Sequence, residues 1–118
     1  MSLNHVHLGS ARFAETQAFY ERFFGFKVAS RHGQGAFLKD QEGFLLVLDP
    51  VSEPHVFPAW FHLGFCQSTE RAVHELHAAF QVADIPLARQ LLFEPGEFAS
   101  FYVQDPDGVR IKVSWHAK

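Results

Sequence analysis

The sequence is short of cysteine, of clustered basic residues and of long apolar runs, and each shortage removes a class of function. Cys66 is the only cysteine, so no internal disulfide can form and no cysteine cage can hold zinc. Ten Lys and Arg stand against thirteen Asp and Glu, a formal charge of -3, and no stretch concentrates the basic residues. DNA and RNA are therefore not expected partners. The longest apolar run, Phe44 to Leu48, is too short to span a bilayer. Met1-Ser2-Leu3-Asn4 has neither the basic region nor the cleavage site of a secretion signal, so the expectation is a cytoplasmic protein with no membrane partner.

What is present is core material. Hydrophobic residues make up 47% of the 118 positions and Phe alone supplies fourteen, enough for one hydrophobic core and a single domain spanning 1–118. Histidine is also abundant, with eight copies, so position has to separate candidate ligands from chance pairs.

The chain is written twice. Leu3 to Ser10 and Trp60 to Cys66 alternate as strands do, and each is followed by a helical pattern. In the first helix Thr16, Phe19, Phe23 and Phe26 share a face. In the second, Val73, Leu76, Phe80 and Ala83 do so after the N-cap candidates Ser68 and Thr69. One shift of 57 residues superposes the helices and places His5 on His62, Phe19 on Leu76 and Phe23 on Phe80. Gly25 and Asp84-Ile85-Pro86 are turn signals after the helices.

Each half ends in a hairpin whose loop reads Asp, any residue, acid, Gly: Asp40 to Gly43 and Asp105 to Gly108. A three-residue loop closed by Gly108 would pair Asp105 with Val109 and set Tyr102 opposite Lys112; the same count sets Phe37 opposite Val47. Val109, Ile111 and Val113 then form an apolar row for the helices, and Arg110, Lys112 and Ser114 face away from them. The expected organisation is a first module over 1–49, a proline-rich linker over 50–58 and a second module over 59–118.

Taken in order, Asn4-His5-Val6-His7-Leu8, Ala18-Phe19-Tyr20, Phe24-Gly25-Phe26, His62-Leu63-Gly64-Phe65 and Phe101 to Gly108 resemble the vicinal-oxygen-chelate superfamily. That superfamily includes glyoxalase I, extradiol dioxygenases, fosfomycin-resistance transferases and bleomycin-resistance proteins, and the likeness covers nearly the whole chain. It implies an α+β fold of two paired βαβββ modules forming a curled mixed sheet around a cleft, usually completed in a homodimer. It also implies a metal ligand at the start of each module's first strand, where His5 and His62 stand, and carboxylates on the last strands. There this sequence has Val47 and Lys112.

Two imidazoles alone make a poor site for zinc, nickel, iron, manganese or cobalt. A Lys112 ammonium about 4 Å from a divalent ion would cost several kcal/mol at an effective dielectric of about 20. His7 could supply a third donor, since it shares the face of His5 on a strand and lies about 6.6 Å along it.

Two function classes follow, with a third of partner-binding module. The first is a protein with no resident cofactor that sequesters an amphipathic anionic small molecule, or acts on it through Lys112 and Tyr102. His7, Phe37, Val47, Cys66, Tyr102, Arg110 and Lys112 are its candidate ligand-binding residues. The second is a metal-dependent lyase, isomerase or dioxygenase using His5, His7 and His62. His74 and His77 are expected on the solvated face of the second helix, and His32 and His55 in loops.

Overall fold

The computed structural model describes residues 1–118 as two compact units, Met1–Val56 and Phe57–Lys118. The first contains β1 (His5–Ser10), α1 (Phe13–Phe24), β2 (Lys27–His32), β3 (Gly35–Lys39) and β4 (Leu45–Pro50). The second contains β5 (Leu63–Cys66), α2 (Glu70–Val82), β6 (Leu87–Glu94), β7 (Phe98–Gln104) and β8 (Arg110–His116). Each forms a four-stranded mixed sheet, ordered β1-β4-β3-β2 and β5-β8-β7-β6, with its first strand parallel to its last. Neither sheet closes into a barrel, and the repeated α+β unit anticipated from the 57-residue shift is the fold.

Burial follows the strand alternation. Val109, Ile111 and Val113 are almost fully buried, as are Phe101 and Val103, and α2 packs on β7 and β8 through Val73 and Phe80. In the first unit Tyr20 and Phe19 of α1 join Leu46, Leu48, Ala36, Leu38 and Phe26. Each such side chain contributes about 1.5–3 kcal/mol of transfer free energy, which is what holds an eight-strand, two-helix chain of this length together.

Local signals decide the helix ends. Thr69 accepts from the Ala72 amide at 3.1 Å, capping α2 as its sequence position suggests. α1 starts later than the Ser10 signal indicated: Ser10 is buried at the end of β1, and Arg12 occupies the N-cap without a capping bond from its side chain, which pairs with Glu15 instead. Its far end is closed by Gly25, at φ 71°, with the Phe26 amide donating to the Tyr20 carbonyl at 3.3 Å.

Both hairpins have the expected register, with Phe37 opposite Val47 and Tyr102 opposite Lys112. The repeated loop motif is structural. The Asp40 carboxylate accepts from the amides of Glu42 and Phe44, and Asp105 likewise from Asp107 and Val109, all at 2.8–2.9 Å.

Three features differ from the sequence reading. Trp60 to His62 is not strand: the Phe61 amide donates to the Pro58 carbonyl at 3.0 Å, so the chain turns there and β5 starts at Leu63. β4 runs through Asp49 to Pro50 because it pairs with Gly9 and Ser10 of β1. His74 and His77 are half-buried, with ring centres 4.8 Å from Phe93 and 5.4 Å from Phe101 respectively, so α2 packs more of its circumference than its apolar stripe indicated.

Candidate functional site

The second unit gathers its chemistry around Tyr102. On β7 this side chain lies on the face opposite the buried Phe101 and Val103, where a pocket of about 160 Å3 is lined by Ala59, Trp60, His62, Arg89, Tyr102 and Arg110. The Arg89 guanidinium lies 5.6 Å from the Tyr102 ring centre and the Lys112 ammonium 6.0 Å, cation–π contacts that hold both charges over one ring. His62 meets the same ring edge-on at 5.3 Å. No salt bridge occupies Arg89, Arg110 or Lys112, and no Asp or Glu lines the pocket. A cationic recess with a phenol and an imidazole is equipped to hold an anion.

The Trp60 wall is braced. The Pro58–Phe61 turn is closed by its backbone bond, Phe57 and Phe61 stack at its base with centres 4.9 Å apart and planes 14° from parallel, and His62 Nδ1 donates to the Trp60 carbonyl at 3.1 Å. That bond fixes the imidazole tautomer, leaving Nε2 as the acceptor.

The first unit has a different set. On β1 and β4 the pairing of His5 with Leu45 and His7 with Val47 sets His5 diagonal to Val47. One pleat further, His7 Nε2 and Asp49 Oδ2 repeat that diagonal at 2.5 Å. His32 Nδ1 approaches the other Asp49 oxygen at 3.7 Å, and its ring centre lies 4.5 Å from that of Phe37 at a tilt of 50°. Asp49 therefore gives this face a carboxylate between two imidazoles.

The expected site residues thus fall into groups. Tyr102, Arg110, Lys112 and His62 converge; His7 and Phe37 belong to the Asp49 cluster; His5 is exposed and bonds to the Asn4 side chain at 2.7 Å; Val47 is buried; Cys66 is exposed at the end of β5, outside the pocket lining. Arg89, Trp60, Asp49 and His32 were not anticipated. β6 reaches Tyr102 only across a register shift between Leu87 and Arg89, which strand counting cannot foresee.

Residues 2–113 match the profile of the Glyoxalase/Bleomycin resistance protein/Dioxygenase superfamily. The chain belongs to this superfamily. A possible glyoxalase from Bacillus cereus is 28% identical, with 96% of this chain and 97% of that one covered at a TM-score of 0.80. A glyoxalase/dioxygenase from Nostoc punctiforme is 16% identical over 99% and 92% of the chains, TM-score 0.82, and lactoylglutathione lyase from Agrobacterium tumefaciens is 22% identical over 97% and 92%, TM-score 0.72. No curated protein matches the chain.

Many members of the superfamily use a metal ion, and the donor set here can be compared with that requirement. In the second unit Lys112 of the last strand is a cation seated on Tyr102, the ring that His62 also meets, and in the first unit the diagonal partner of His5 is Val47, which has no donor atom. Neither unit brings three His, Cys, Asp or Glu side chains into an arrangement that could hold a metal. The residues present in each unit do not fit an ion at the superfamily's usual acidic position.

Proposed function

We propose that the protein binds a small anionic molecule in the pocket around Tyr102, without a metal at the superfamily's usual position. The observation that carries this reading is a pocket lined by Arg89, Arg110 and Tyr102 with no carboxylate among its lining residues, and with the Lys112 ammonium on the same Tyr102 ring as Arg89. A carboxylate or phosphate would take charge-assisted hydrogen bonds from the guanidinium groups, with Lys112 adding attraction from beyond Tyr102. The same cations would stabilise negative charge developing on a bound carbonyl; turnover would use Tyr102 in the pocket lining, and Lys112 only if its side chain moved into the pocket. The reading includes a homodimer, an assembly common among superfamily members, in the cytoplasm. No helix is long and apolar enough to cross a membrane.

The test is calorimetric titration with acetate and inorganic phosphate at low salt, with and without added nickel, zinc or cobalt. Saturable binding that is independent of metal and weakened by Arg110→Gln supports the proposal. Binding that appears only with metal, or no saturable binding at all, overturns it.

A further inference from the structure

Trp60 is the most unusual part of the pocket. It is 77% exposed, yet its backbone is held by a closed turn, by the stacked Phe57 and Phe61 and by the hydrogen bond from His62. A large apolar ring left in solvent gains nothing for folding, while a braced turn makes the ring available without an ordering cost on binding. The Tyr102 ring cannot play the same part, since Arg89, Lys112 and His62 already occupy its surroundings. Trp60 therefore supplies the aromatic face still open to a ligand, on the rim of a recess that also contains Arg89 and Arg110.

Size narrows the choice. The recess is open to solvent on one side, and its volume of about 160 Å3 accommodates one benzene-sized ring, which fills a cavity of about 150 Å3. We infer that the ligand is a single-ring aromatic carboxylate, its ring against Trp60 and its carboxylate on Arg89 and Arg110. This rests on the anion-binding reading above and adds the aromatic requirement to it.

The probes are benzoate, cyclohexanecarboxylate, which keeps the charge and approximate size without the flat π surface, and acetate. Each is titrated calorimetrically into the full chain and into its Trp60→Ala and Trp60→Phe variants, with circular dichroism to check folding. Benzoate is expected to bind more tightly than cyclohexanecarboxylate by about twofold to tenfold, the range of an aromatic contact. Trp60→Ala should abolish that preference and Trp60→Phe should keep part of it. Equal affinity for benzoate and cyclohexanecarboxylate, or a benzoate preference untouched by Trp60→Ala, overturns the aromatic class while leaving anion binding intact. Failure of all three carboxylates and of phosphate to bind overturns both readings.

Discussion

His7 Nε2 and Asp49 Oδ2 lie 2.5 Å apart, one pleat beyond the diagonal at which His5 faces Val47. An imidazole and a carboxylate of the first unit therefore bond to each other one pleat along the strands from His5. The placement of Asp49 depends on Gly35. A methyl group at Gly35 would stand 2.7 Å from both the Leu48 carbonyl oxygen and His32 Cε1, and it would collide with Asp49 as well.

Gly35→Ala is accordingly expected to separate Asp49 from His7 and to lower stability by about 1–3 kcal/mol, the usual cost of overpacking. Gly64→Ala is the control, because an added methyl there meets nothing within 4 Å. Urea denaturation of the two variants should show a loss only in the first, and imidazole nitrogen resonances should report the changed environment of His7.

How much of this was legible in the sequence follows from which interactions are local. The helix cap at Thr69, the left-handed Gly25 and the two Asp-closed loops depend on neighbours within a few residues, so pattern alone located them. The facing of Tyr102 and Lys112 followed from the loop. Arg89 and Trp60 were hidden for different reasons. The Arg89 register passes through an irregularity in β6, and the Trp60 turn interrupts an alternation that otherwise reads as strand. Asp49 sat beside a cluster of prolines that read as linker, yet its parallel pairing with β1, more than thirty residues away in sequence, makes it strand.

The two equivalent loop aspartates differ in burial, and stability should record the difference. Asp105 is 4% exposed and accepts two backbone amides, so removing its carboxylate leaves the buried Val109 donor and the part-buried Asp107 donor unsatisfied. Asp105→Ala should cost about 1.5–3 kcal/mol. Asp40 makes the same two bonds where water can reach, and Asp40→Ala should cost less. Chemical denaturation of both variants measures the gap, and equal losses would remove burial as the deciding cause.

The Lys112 ammonium lies 6.0 Å from the Tyr102 ring centre and is not among the pocket's lining residues, so under the proposed anion-binding reading it acts by charge alone. Lys112→Ala should therefore weaken acetate binding modestly and increasingly little as salt rises, since screening acts over about 8 Å at physiological ionic strength. Lys112→Glu reverses the sign of the interaction and should weaken binding by roughly a further tenfold. An equal effect from the two substitutions would assign Lys112 a packing role against Tyr102 instead.

His77 gives the fold a defined response to acid. Burial, and next the neighbouring His74, hold its imidazole below the ordinary value of 6.5. The unfolded chain therefore binds a proton there more readily than the folded chain, so the contribution of His77 is fully present above pH 6.5 and is lost as the pH falls through the lowered folded value. Glu70 lies 3.5 Å from His74 on the same helix. Urea denaturation from pH 7.5 to pH 5 should show stability falling with acid, and His77→Gln should flatten the curve over that interval. Because Phe101 packs against the ring, the variant is expected to start from a lower stability at pH 7.5, so the slope with pH is the informative quantity. An unchanged slope would assign the acid response to other groups.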